Sequence, residues 1–228
     1  AVEMMLFIQL FCFGRCTGIS FIDSTCVPVC HNKRIKRNKV FKGYAEIGKS
    51  TMGWYFGFKL HLICNERGEL LNFMLTKANV DDRNPEVFNR LIDNVFGKLF
   101  ADKGYISQGL FERLFNDGIE LVTGLKCNMK NKLMPLYDKI LLRKRSVIET
   151  INDELKNVAQ LVHSRHRSVF NFAMNVLSVL VHTASMRRSR PSTSIIASST
   201  LMGSLLLYNK GIFSLLTTYR LPFTLVEG

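Results

Sequence analysis

Residues 54–65, WYFGFKLHLICN, alternate in polarity and are rich in aromatics, and residues 70–79, LLNFMLTKAN, resume the alternation after the turn ERGE. A period of two suits strands rather than helices, and two such runs joined by a charged turn containing glycine pair as an antiparallel hairpin. A hairpin this apolar is not stable alone in water: it needs further strands at its edges and a layer of structure over its faces.

The neighbouring segments supply both. ISFID (19–23) is a short, β-branched, apolar run that reads as a buried strand ending in an acid. Asn84-Pro85-Glu86 opens a helix with Val87, Leu91, Ile92 and Val95 on one face. KLFAD (98–102) is a second short strand ending in an acid. Ser107 caps a helix whose apolar face is Leu110, Phe111, Leu114 and Phe115, stopped by Asp117-Gly118, and IELVTGL (119–125) is a further strand. A long helical pattern runs from Ile140 through Val147, Ile148, Ile151, Leu155 and Val158, and a nearly all-apolar helix covers 168–185. This order predicts an α/β fold, a mixed central sheet flanked by helices. The chain has no internal repeats.

With 228 residues and a hydrophobic fraction of 47%, one domain can bury a sizeable core, and wholesale disorder is excluded. Residues 17–191 carry the α/β pattern. Residues 1–16 are expected to be the remnant of a preceding region: the first residue is Ala, and MMLFIQLFCF is too short to span a bilayer and lacks the basic start of a signal peptide. Residues 192–228 are rich in Ser and Leu without a clean period, and read as an unrelated, weakly structured tail. Asn209 and Lys210 interrupt it as a membrane span, so no membrane partner is expected. Six cysteines without a disulfide framework suggest a reducing, cytoplasmic setting. Cys12-x3-Cys16 and Cys26-x3-Cys30-His31 are spaced more loosely than a zinc knuckle, and the intervening Phe13 and Val27 read as core.

Charge narrows the class. Lys and Arg number 31 against 18 Asp and Glu, a net +13, and the cations cluster at Lys33–Lys42, Lys126–Lys132, Lys139–Arg145, Arg165–Arg167 and Arg187–Arg190. One cluster is an ordinary solvated surface; five in succession repel one another unless a polyanion lies among them. Against this background three acids stand out by position: Asp23 ending the first strand, Asp102 ending KLFAD, and Glu149 on the long helix. Ligand sites in open α/β sheets form at strand ends, and three hard oxygen donors suit Mg²⁺ or Mn²⁺ rather than zinc. Two divalent ions roughly 3.5–4 Å apart both activate an attacking oxygen and stabilise a leaving one in phosphodiester chemistry. Each acid also has an ordinary reading: Asp23 as a turn cap before Ser24-Thr25, Asp102 as a turn acid before Gly104, and Glu149 as the i,i+4 partner of Arg145.

The ordered blocks FIDST, GWYFGFKLH, NVDDR, ADKGY, RKRSVIETINDELK and HSRHRS over residues 17–191 resemble the DDE transposases of bacterial insertion sequences, most closely the insertion sequence 982 family. The resemblance implies an RNase H-like fold in which Asp23 of FIDST, Asp102 of ADKGY and Glu149 of RSVIE bind two Mg²⁺ (Mn²⁺ is possible). It also implies nicking at the ends of the element, followed by attack of the freed 3′-hydroxyl on target DNA. Its partners would be insertion-sequence ends and target DNA, gripped by a homodimer on paired ends, in the bacterial cytoplasm and associated with the nucleoid.

Further roles follow from the same resemblance. Lys33, Arg34, Lys36 and Arg37 would hold the phosphate backbone. Arg145, one helical turn before Glu149, would hold a phosphate beside the ions, while Lys103 and Tyr105 would contact backbone or a flipped base. His163, Arg165, His166 and Arg167 would add phosphate contacts. His61, on the apolar hairpin, reads instead as a packed core histidine. The chain departs from the pattern in Leu142, where a related motif has Tyr, and in Val162, where an acid is usual, and the family's N-terminal DNA-binding region is not expected among the residues before the first strand. An RNase H-fold nuclease without strand transfer would use the same three acids, and an inactive DNA-binding remnant would need only the cations.

Overall fold

The computed structural model of the chain describes residues 2–124, 134–162 and 165–188. The expectations for Lys126–Lys132, for His163 and for the tail 192–228 lie outside the described residues. Strand β1 (Ile19–Cys30) is the centre of a six-stranded mixed sheet with β2 (Glu46–Ser50), β3 (Gly53–Asn65), β4 (Leu70–Lys77), β5 (Gly97–Ala101) and β6 (Ile119–Thr123). The sheet order is β2-β3-β1-β5-β6, and β4 also pairs with β3. On one side β1, β2 and β4 run antiparallel to β3; on the other, β1, β5 and β6 run parallel.

The hairpin is formed as its alternation predicts: β3 and β4 pair from Phe58↔Lys77 to Cys64↔Leu70 around the ERGE turn. Strand β2 was not legible, because YAEIGKSTMG mixes glycine, small and charged residues and carries little apolar alternation. It forms because β3 extends beyond β4 and its free edge needs a partner. Strand β1 is also longer than expected. It does not end at Asp23 but continues to Cys30, since Thr25 and Val27 prolong the buried alternation.

The central strands are buried on both faces, so neighbouring residues enter opposite cores. Phe21, Val27, Leu62 and Phe100 face one side, under α5 (Ser146–Asp153) and α6 (Val169–Arg188). Ile22, Ile63 and Leu99 face the other, under α2 (Pro85–Leu91) and α3 (Gln108–Asn116). Asn84 caps α2 as predicted, its side chain accepting from the Glu86 N–H at 2.9 Å. Ser107 holds the cap position of α3 but makes no capping bond, and only Leu110 and Leu114 of its expected face are buried; Phe111 and Phe115 stack on each other at the surface. At the entry to β5, Gly97 has φ +83, and a Cβ there would lie 2.4 Å from the Gly18 carbonyl oxygen. That close approach starts the parallel pairing of β5 with β1.

The long helical pattern is divided. Helix α4 (Leu136–Lys144) ends at Arg145, whose φ −53 and ψ −20 serve as the junction to α5, and a π-helical turn follows at Glu154–Val158. Asp138 of α4, almost fully buried, receives both of its bonds from Lys98 of β5 at 2.7 and 2.8 Å. Arg187 of α6 binds Glu154 at 2.9 Å. Helix α6 is long and apolar enough to cross a bilayer by length and composition alone. Its Phe172, Val176, Leu177 and Leu180 are buried in the sheet's own core, the position of a core helix.

His61 sits where a core histidine was expected: fully buried on β3, its Nε2 3.0 Å from the Thr76 hydroxyl. Burial pushes its pKa down to about 4, against the pull of Asp82. The folded chain therefore binds fewer protons than the unfolded one, and this contribution is complete above pH 6.5 and lost as pH falls towards 4. Urea midpoints measured between pH 7 and pH 4 should report a loss of up to about 3 kcal/mol in the native chain, and a flatter profile in His61→Gln.

Candidate functional site

The two aspartates are brought together by register. Phe21 of β1 lies opposite Phe100 of β5 in the parallel pair, and their rings pack 5.7 Å apart. Two residues further along each chain, on the same face, come Asp23 and Asp102. Asp102 stands just past the end of β5, as expected, and its side chain makes no capping bond to the short helical turn Lys103–Tyr105. Asp23 lies within β1, opposite Leu62 of β3, and so is not a turn cap.

Helix α5 brings the third acid over this face. Ile148, Ile151 and Asn152 are buried against the sheet, and this orientation leaves Glu149 at the rim. Asn152 Nδ2 donates to Asp23 Oδ2 at 3.0 Å, which fixes the helix to the strand across 129 residues of sequence. At the point of convergence lies the Arg145 guanidinium. It donates from Nη2 to Glu149 Oε1 at 2.6 Å, lies 4.0 Å from Asp102 Oδ1 through the same nitrogen, and lies 4.0 Å from Asp23 Oδ1 through Nη1. Three carboxylates from three elements thus surround one cation. The i,i+4 pairing of Arg145 with Glu149 is real, and it is one spoke of this larger arrangement.

The electrostatics follow from burial. Asp23 is pushed above the usual carboxylate range by desolvation, with Asp102 adding a smaller push; the Ser24 backbone N–H, Arg145 and Asn152 hold it down. Glu149 and Asp102 are more than half exposed, so their mutual repulsion is screened. Beside the acids opens a cleft lined by Asp23, Ser24, Thr25, Glu149, Asn152, Asp153 and Lys156.

Among the described residues, no three His, Cys, Asp or Glu side chains stand close enough together to hold a metal ion as they are. A guanidinium takes that place, and hard carboxylate oxygens around a positive charge are the donor set that Mg²⁺ or Mn²⁺ takes. The donor chemistry fits a divalent ion on condition that Arg145 gives way and the carboxylates close in on the space it leaves.

The expected DNA contacts divide. Lys103 is exposed beside Asp102. Lys33, Arg34, Lys36 and Arg37 are exposed on the 3-10 turn Asn32–Arg37, beyond the far end of β1 and away from the acids. Arg165 and Arg167 are exposed ahead of α6, whereas His166 packs its ring edge-on to Phe172 at 5.4 Å, and burial lowers its pKa. Tyr105 is a correction: it is 2% exposed, with its ring edge against Phe88 at 5.8 Å in the core on the other face, and it has no surface to offer DNA. The alternation that marks strands gives no such signal in the short turn KGY. Asn152 and Lys156 were missed, although their spacing of three and seven residues from Glu149 places them on its side of the helix.

The family described as Transposase DDE domain matches residues 13–169. Among solved structures, the chain is similar to the piggyBac transposase synaptic complex with hairpin DNA, with TM-score 0.50 and 10% identity over 91% of this chain and 59% of that one. A second neighbour is the simian T-cell lymphotropic virus intasome in complex with PP2A regulatory subunit B56 gamma, with TM-score 0.42 and 13% identity over 82% of this chain and 63% of that one. The chain thus spans about three fifths of the length of either. No curated protein sequence matches it. The sheet order, the helices on both faces and the family match agree: the fold is RNase H-like, and the chain belongs to the transposase DDE domain family.

Proposed function

We propose that the chain is the catalytic domain of a DNA transposase of the insertion-sequence type, with Asp23, Asp102 and Glu149 as its reacting centre. The observation that carries this reading is the convergence of three carboxylates, from β1, from the end of β5 and from α5, on the single Arg145 guanidinium. A sheet has no folding reason to collect acids on one face beside a buried strand: burial raises the Asp23 pKa, the nearby Asp102 adds a smaller push, and both cost stability.

Asp23, Asp102 and Glu149 would hold two Mg²⁺ or Mn²⁺, which when bound activate the attacking oxygen and stabilise the leaving one. In the resting chain Arg145 neutralises the acids. An arriving DNA phosphate is a competing anion with two oxygens to match the guanidinium fork, and it draws Arg145 off the carboxylates onto the backbone. Asn152 keeps Asp23 aimed while this exchange occurs, and Lys103 and Lys156 bracket the phosphate from either side. The same centre serves nicking at an element end and joining of the freed 3′-hydroxyl to target DNA, and a homodimer holds two ends together.

Asp102→Asn should reduce Mg²⁺-dependent cleavage of end DNA at least about 100-fold, and undiminished cleavage would falsify the assignment. Pre-nicked end DNA should give a joined product with the native chain; nicked product without joining assigns a nuclease instead. Arg145→Met should lower stability by about 1–2 kcal/mol at pH 7, where the three acids are left to repel. The loss should be smaller at pH 4, where Asp23, held above the usual carboxylate range by burial, takes up a proton, and millimolar Mg²⁺ should restore part of the neutral-pH midpoint. Urea titrations check this, and equal losses at both pH values would assign Arg145 a packing role.

A further inference from the structure

Trp54, the only tryptophan of the chain, is the second residue of β3 and is 62% exposed, while Tyr55 and Phe56 next to it are buried. Directly opposite in register is Lys49 of β2, with its Nζ 5.8 Å from the Trp54 ring centroid. Ile47 and the 98% exposed Met52 extend the surface along the same hairpin. The Trp54 carbonyl accepts a 2.6 Å bond from Asn32, the first residue of the turn that carries Lys33, Arg34, Lys36 and Arg37. No acid occurs in the chain between Asp23 and Glu46.

Alternation along β3 places Trp54 on the same face as Phe56, Phe58, Leu60 and Leu62, and Leu62 lies opposite Asp23. The exposed ring therefore shares the sheet face of the acid cluster. It lies eight positions along the strand from Leu62, or about 26 Å at ~3.3 Å per residue. A flat aromatic face flanked by five cations suits a base stacked on the ring with its backbone among the cations. A duplex, whose bases already stack on each other, has no free face to offer.

We propose that Trp54 and Lys49 form a stacking platform for an unpaired base at a distance from the phosphate held at the acids, with Lys33, Arg34, Lys36 and Arg37 gripping the single strand around it. This rests on the reading of the acid cluster as the cleavage centre. Because Trp54 is the sole tryptophan, its fluorescence reports the platform directly. The chain would be titrated with a dye-labelled duplex carrying a ten-nucleotide single-stranded extension and with the blunt duplex of the same sequence.

The extended DNA should quench Trp54 with the midpoint given by dye anisotropy, and the blunt duplex should not. Loss of one stacked base corresponds to about 5- to 100-fold weaker binding of the extended DNA in Trp54→Leu, with part of it recovered in Trp54→Phe. Binding by anisotropy with unchanged Trp54 fluorescence, or equal quenching by both DNAs, overturns the platform. Quenching without cleavage by the same protein supports the platform and counts against the catalytic reading alone. Cleavage without quenching does the reverse.

Discussion

Asp23 sits on a strand hydrogen-bonded along both edges and covered on both faces, where an ionised carboxylate can persist only with a partner. Arg145 is the partner that also reaches Glu149 and Asp102, and Asn152 satisfies the remaining Asp23 oxygen. Much of the surrounding architecture can be understood from this need. Helix α4 must end at Arg145 to aim the guanidinium inward, and α5 must lie flat on the sheet through Ile148 and Ile151. Lys98–Asp138 ties α4 to β5, and Arg187–Glu154 ties the turn after α5 to α6.

The arrangement is stable yet poised. One positive charge offsets only part of three carboxylates, and two of the three are more than half exposed, so the local field remains attractive to cations. The molecule as a whole has the opposite sign, at +13. A small negative well within a positive surface suits the proposed metal-assisted phosphate chemistry, in which the surface would capture the backbone and the well the counter-ions. The basic turn beyond β1 and the exposed Trp54 beside it extend the positive surface along the same sheet face, well away from the acids.

Much of the fold is legible in the sequence. The β3–β4 hairpin, the capped start of α2, the short strands β5 and β6, the apolar α6 and the burial of His61 follow from periodicity and turn chemistry. Strand β2 and the length of β1 were not readable, because both depend on partners distant in sequence. Tyr105 was assigned to DNA because it follows Asp102 closely, but a three-residue helical turn rotates it into the opposite core. The break at Arg145 had no glycine or proline to announce it; the ion pairs with distant acids accompany it.

By itself the sequence determined most of the strands and helices, with β2 and the full length of β1 as exceptions, which residues alternate into the core, and that the acids of FIDST and ADKGY come at strand positions and that of RSVIE on a helix. These are matters of local period and order along the chain. Only the tertiary structure decided that the acids meet around Arg145, that Asn152 holds Asp23, that Tyr105 is sealed away, and that Trp54 shares a face with the acids. Each depends on strand register and helix packing across many tens of residues, and a single-residue slip in the register of β1 would turn Asp23 to the other face of the sheet.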